Sequence, residues 1–176
     1  LIATLKENSR TMVFTEGSDP RILEATARLL ADGLMKVVLV GNVDEVKAAA
    51  EEAGVKLWAW VHVSDIRDDA KREALFEYWA SEGIVGLKPD FFDGEDQATM
   101  QLYDELYEDA AKYGLMLLVH GANKPTGEVR TWPNVYGREG IAGQEQGGIT
   151  SEQYTLIPFI RAAIGPAEVT EELRSK

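Results

Sequence analysis

The sequence predicts an α/β fold of about five parallel strands with helices on both faces, in a flavodoxin- or Rossmann-like arrangement. Three observations lead there. Short apolar runs alternate with helical periods from the N-terminus to about residue 121. The helical periods open on capping residues and close on glycine. The runs "KVVLVGN" and "LMLLVHG" are apolar without interruption, as expected of strands buried on both sides. Strands spaced by whole helices favour parallel pairing with right-handed crossovers.

In order, "TMVFTEG" reads as the first strand and "DPRILEATARLLADG" as its helix. Asp19 is the N-cap, Pro20 takes the first helical position, and Gly33 stops the helix. "KVVLVGN" is the second strand and "VDEVKAAAEEAG" the second helix, closed by Gly54. "KLWAWVHV" is the third strand and "DDAKREALFEYWASEG" the third helix. "IVGLKPDF" is the fourth strand, followed by the long amphipathic "EDQATMQLYDELYEDAAKYG", and "LMLLVHG" is the fifth. Residues 122–148 are rich in glycine and proline, and no element is predicted there; a loop of that length is usually functional. "TSEQYTLIPFIRAAIG" reads as a helix that Pro158 interrupts or starts.

With 176 residues and 45% hydrophobic content, one globular domain over 1–176 is expected. A net charge of −12 repels phosphate backbones, which argues against nucleic acid as a partner. The chain has no cysteine, so it can form neither a disulfide nor a thiolate metal site. No apolar run is long enough to span a membrane, and the N-terminus lacks a signal-peptide layout. A cytoplasmic or recombinant setting is the default expectation.

Two resemblances overlay this frame. "TMVFTEGSDPRILEATARLLADGLMKVVLVGN" resembles the opening of the phosphate acetyltransferase family, over roughly residues 1–57. From Trp58 to about residue 166, "WAWVHV", "GIVGLKPDFFDGEDQ", "AAKYGLMLLVHGANKPTGEVRTWPNV", "REGIAGQEQ" and "YTLIPFIRAAIGP" resemble the catalytic barrel of glycoside hydrolase family 97. No linker-like composition marks the seam near residue 57. Together they imply a chimera of two parents, 1–57 and 58–176, which leads to the expectation of an engineered scaffold without evolved activity. The alternative architecture is a partial (β/α) barrel, whose exposed sheet edges would favour a homodimer.

The second resemblance also implies an alternative function, a calcium-assisted retaining α-glycosidase acting on a sugar ligand. It places the nucleophile on Asp90 and the general acid/base on Glu145, the two carboxyl groups a retaining mechanism needs. It places calcium ligands on Glu139 and Glu145, and Lys124, Arg130 and Trp132 could contact sugar. The scaffold reading expects no cofactor; the alternative expects calcium.

Plainer readings compete at each position. Asp90 is also what a loop or capping carboxylate looks like, and Glu139 and Glu145 sit among glycines, where glutamates usually face solvent. "DGED" suits a solvated turn better than a metal loop. His62 and His120 end apolar strands, where a hydrogen bond at a sheet edge is the commoner role. Trp58, Trp60 and Trp79 suit core packing. Pro89 lacks a ladder N–H, which fits a strand end or an edge strand. Asp90 is expected at the carboxyl end of the fourth strand, with Glu145 not facing it.

Overall fold

The computed structural model describes residues 10–32, 34–92, 94–143 and 148–167. Among the described residues, six parallel strands form two sheets, one of two strands and one of four, and the chain divides into units at Leu57/Trp58. The predicted α/β class and parallel strands are present, but the single five-strand sheet is replaced by these two.

The first unit is a β-α-β-α run: β1 (Arg10–Phe14), α1 (Pro20–Ala31), β2 (Met35–Leu39) and α2 (Val43–Glu52). β1 and β2 pair in parallel, with Phe14 opposite Leu39. Asp19 caps α1 by accepting the Arg21 N–H at 2.8 Å and also binds the Arg21 guanidinium. These Arg21 contacts, side chain first, hold the Asp19 carboxyl down to about 2. The cap interaction is therefore present above the ordinary carboxylate range and lost as pH falls toward 2. Asn42 caps α2 in the same way. Leu23, Thr26, Leu34, Val46 and Ala50 are buried in this unit. Val13 on β1 is 57% exposed, and the side chain of Val38 lies outside the described residues.

The second unit holds β3 (Trp58–His62), α3 (Asp69–Ser81), β4 (Gly86–Asp90), α4 (Gln97–Lys112), β5 (Met116–Val119), β6 (Val135–Arg138) and α5 (Ser151–Arg161). The sheet order is β3-β4-β5-β6, the order of the chain. α4 shows how sequence makes packing here. Thr99, Leu102, Tyr103, Leu106, Tyr107 and Ala110 recur at helical spacing and are all buried, and Asp96 caps the helix by accepting the Thr99 N–H. Its stripe packs in one cluster with Val61, Leu87, Leu117, Val119 and Val135 of the sheet and with Phe76 of α3. Thr150 and Gln153 bond reciprocally at the start of α5, as a capping box does. α5 runs through Pro158, which does not interrupt it.

Three expectations change in this unit. Residues 122–148 are not a bare loop: they contain a 3-10 turn at Glu128–Arg130 and the strand β6, which pairs with β5 and puts Val135 in the core. Pro89 lies in β4, between β3 and β5, and is buried, so only the edge-strand half of its reading changes and the strand-end half stands. It fits because it is the penultimate residue of the strand, and its carbonyl accepts the His120 N–H at 2.9 Å. Trp79 packs against the core as expected, but Trp58 and Trp60 do not. They are exposed, as is Tyr136, whose ring meets Trp58 edge-on at 6.5 Å.

Arg72 of α3 ties the helices together. Its side chain is 2% exposed; it donates to Asp109 Oδ2 at 2.7 Å, to the Ile66 carbonyl at 3.0 Å, and to Asp69 and Glu105. Burial works against its charge, but these carboxylates outweigh it and raise its pKa. Among the described residues no helix is long and apolar enough to cross a membrane.

Candidate functional site at the strand ends

In this parallel sheet the carboxyl ends of the strands share one rim, where α/β folds place their ligand sites. His62 ends β3, Asp90 ends β4, His120 follows β5 and Glu139 follows β6. Pairing fixes their neighbourhood: His62 is opposite Asp90, and Glu139 N–H bonds the Val119 carbonyl at 2.8 Å.

Asp90 stands where the sequence predicts. Oδ1 accepts the Phe91 N–H at 2.8 Å and Oδ2 accepts the Trp60 indole N–H at 3.1 Å. With a donor on each oxygen, the carboxylate plane is held in place. Phe91 has φ +66°, a left-handed conformation that costs a residue with a Cβ about 1–2 kcal/mol. That turn leaves the Phe91 ring exposed, stacked on His62 at 5.3 Å and edge-on to Trp60 at 6.3 Å. His62 Nδ1 accepts the Ser64 N–H at 3.1 Å. Non-glycine residues with such backbones collect at functional sites. Phe91→Gly is expected to be more stable than Phe91→Ala by about 1 kcal/mol, as read by thermal melts of the two variants.

Glu139 is 6% exposed, not solvent-facing as glutamates among glycines usually are. Its Oε2 accepts the Gly121 N–H at 2.8 Å and lies 3.8 Å from Nδ1 of the buried His120. Gly121 thus separates the two carboxylates: Glu139 takes its N–H, while Asp90 and Phe91 press on its other side. A Cβ at Gly121 would come 2.6 Å from Phe91 N and 3.0 Å from Asp90 Oδ1, and φ there is +53°. Gly121→Ala is therefore expected to cost roughly 2 kcal/mol or more and to displace Asp90. Chemical denaturation checks the first effect and the amide shift of Phe91 the second.

Behind the rim, Arg138 lies under Tyr103, its guanidinium 3.9 Å from the ring centroid, and bonds Asn123 and Glu128. Burial opposes the Glu128 charge, but hydrogen bonds from its own and the Thr126 backbone, with Arg138, hold its carboxyl below the usual value.

The remaining sequence candidates scatter. Trp132 is half-buried against the hydrophobic cluster, and Arg130 is exposed at the end of its 3-10 turn. Lys124 is exposed, its backbone close against Gly140. Glu145 lies outside the described residues, so its separation from Asp90 is outside them too. Sequence reasoning missed Phe91, Gly121 and Arg138 as parts of the site. "HG" directly after an apolar strand was the available signal for the glycine.

Calcium takes six to eight oxygen ligands. Around Glu139 the described residues supply one carboxylate engaged by an amide N–H, with an imidazole nitrogen beside it. Among the described residues no cluster of three metal-ligating side chains occurs. Those described donors alone fall short of a calcium shell; the second ligand the resemblance implies, Glu145, lies outside the described residues.

Parallel β/α units here bring two carboxylates, Asp90 and Glu139, and an aromatic cluster to the carboxyl rim of the sheet, the end where β/α folds place their sites. The family model for Glycoside hydrolase 97 matches residues 6–141, and the chain belongs to that family. A retaining alpha-galactosidase of Bacteroides thetaiotaomicron is 36% identical over 156 residues, covering 84% of this chain and 23% of the relative. A probable retaining alpha-galactosidase of Streptomyces bingchenggensis is 35% identical over 128 residues, covering 73% and 20%. The chain thus spans about a fifth of the length of these relatives.

Among solved structures, a beta-arabinopyranosidase superposes with a TM-score of 0.70 at 26% identity, over 90% of this chain and 31% of that one. A Glycoside Hydrolase Family 97 enzyme variant from Pseudoalteromonas sp. strain K8 superposes at 0.57 with 17% identity, over 77% and 27%, and shows the fold alone. The four-strand parallel sheet with its helices resembles part of that family's catalytic barrel.

These matches overturn the chimera. One family model runs unbroken through the seam near residue 57. Nor does the acetyltransferase likeness stop there: a phosphate acetyltransferase of Thermoanaerobacterium thermosaccharolyticum is 28% identical over 123 residues, 69% of this chain and 33% of the relative. The expectation of an engineered scaffold without evolved activity falls with the chimera.

Proposed function

We propose that this chain forms the catalytic rim of a retaining glycoside hydrolase acting on a galactose-configured pyranoside. Asp90 is its nucleophile and Glu145 its general acid/base. The observation that carries the reading is the fixed Asp90 carboxylate at the end of β4, with an N–H on each oxygen and an exposed aromatic cluster beside it. The retaining alpha-galactosidases it resembles support the stereochemistry and the sugar.

Asp90 attacks the anomeric carbon while Glu145 protonates the departing glycosidic oxygen, and a glycosyl ester forms as the alcohol leaves. Glu145 then takes a proton from water, whose oxygen displaces Asp90 from the same carbon, releasing the sugar with its configuration retained. Trp60 and Phe91 offer ring faces to the sugar's C–H groups. Buried Glu139 holds Gly121 and through it the spacing of the rim. No step is assigned to calcium.

The test is hydrolysis of 4-nitrophenyl α-galactoside, with the anomer of the first-formed sugar followed by proton NMR. Turnover that yields the α-anomer first supports the proposal. The β-anomer first, or no turnover above the uncatalysed rate, contradicts it.

A further inference from the structure

The strongest unexplained feature outside the reacting groups is Arg161, the last residue of α5. It lies in an otherwise apolar stretch, "LIPFIRAAI", yet it is 6% exposed and turns inward, while Phe159 and Ile160 beside it are exposed. Every guanidinium nitrogen is used, and every acceptor is a backbone carbonyl. Nε donates to Gly140 at 3.0 Å and Nη1 to Gly165 at 3.0 Å. Nη2 donates to Arg138 at 2.9 Å, Glu139 at 3.3 Å and Pro166 at 3.3 Å.

Three of these acceptors are consecutive: Arg138, Glu139 and Gly140, the exit of β6. Consecutive carbonyls can face one centre only where the chain curls, and Gly140 supplies the curl with φ +39°. A Cβ there would come 2.6 Å from the Lys124 Cα, so the turn is wedged on the far side as well. Glu139 is therefore held at three points. Its N–H bonds the Val119 carbonyl, its carbonyl takes Arg161, and its carboxylate takes the Gly121 N–H.

We infer that Arg161 is a positioning residue of the rim: by gathering the carbonyls of Arg138, Glu139 and Gly140 it sets where the Glu139 carboxylate meets Gly121, and so how Gly121 stands against Asp90. Only arginine suits the task. Its planar fork offers five N–H donors at fixed angles, whereas a lysine ammonium offers three on a flexible stem. Burial, with Arg138 nearby, lowers the pKa of Arg161, and Glu128 works the other way. The geometric role stands on the coordinates of the rim; its consequence for hydrolysis rests on the function proposed above.

The experiment reads the chemical shift of the Gly121 amide proton by NMR in the full chain at neutral pH. In the parent that proton is expected downfield because of its bond to Glu139, and Glu139→Ala, which removes the acceptor, is expected to move it upfield and measures that displacement. In Arg161→Lys, which keeps the charge, at least about half of the displacement is expected to be lost. In Arg72→Ala, destabilised elsewhere in the same unit, it is expected to persist. A Gly121 shift unchanged in Arg161→Lys overturns the inference, as does an equal loss in both variants. On the hydrolysis side, Arg161→Lys is expected to lower kcat about tenfold or more with little change in KM, since small misplacements of a rim act on the reacting geometry. A lost Gly121 displacement in a protein whose parent hydrolyses nothing would keep the positioning role and overturn the hydrolase reading instead.

Discussion

Asp90→Asn is expected to reduce galactoside hydrolysis by at least about a thousandfold, since loss of a nucleophile leaves only binding and electrostatic stabilisation. The amide keeps the size of the carboxylate, but its single oxygen can accept from only one of the Phe91 N–H and the Trp60 indole; both bonds lie at the exposed rim, so the fold is expected to hold. Asp90→Gly opens space instead, and added azide then has room to attack the anomeric carbon from the vacated face. Recovery of turnover with a β-galactosyl azide as product would identify the missing group as a nucleophile. An Asp90→Asn enzyme within tenfold of the parent would remove Asp90 from that role, whatever else the rim does.

The largest effect on stability is expected from Arg72→Ala. The guanidinium is almost wholly buried and serves the Ile66 carbonyl as well as Asp109, Asp69 and Glu105. Removing one member of such a cluster leaves a partly buried carboxylate and a buried carbonyl without their donor, at about 3 kcal/mol. In a chain of this size that lowers Tm by roughly 6–12 °C, as scanning calorimetry would measure. Asp69 and Glu105 are well exposed and can turn to water, so Asp69→Ala is expected to cost under about 1 kcal/mol. Equal losses from the two substitutions would show that the exposed pairs matter as much as the buried one.

The regular part of this fold was open to reading because each element declares itself locally. "DPRILEATARLLA" carries its cap, its proline and its stripe, and α4 shows the same logic through Asp96 and its apolar positions. β6 declares nothing. "VYGR" has a glycine inside, an exposed tyrosine and a buried arginine, and it becomes a strand only because β5 offers it a ladder and Tyr103 a face for Arg138. The division of the strands into two sheets was likewise hidden, because apolar runs state that a strand is buried and not which neighbour buries it.

The site shows the same split. Asp90 could be placed at a strand end by pattern, and the family motif picked out Glu139 and Glu145. What the pattern could not express is relation. The left-handed backbone of Phe91, the glycine between two carboxylates and the inward turn of Arg161 all depend on residues distant in the chain: Gly121 on Glu139, 18 positions on, and Arg161 on Glu139, 22 positions back. Trp58 and Trp60 show the converse. Alternating tryptophans suggest a core when a sheet is assumed to be covered on both faces, yet here they stand exposed on the same strand that buries Val61.

The most direct measurement is trapping of the covalent intermediate. A 5-fluoro-α-galactosyl fluoride accumulates a glycosyl ester on the nucleophile of a retaining enzyme, because fluorine slows its hydrolysis more than its formation. After proteolysis, mass spectrometry is expected to find one fluorogalactosyl adduct, on the peptide containing Lys88–Pro89–Asp90 and with fragment ions that place it on Asp90. An adduct on Glu139, or an unmodified protein after turnover of the reagent, would contradict the account.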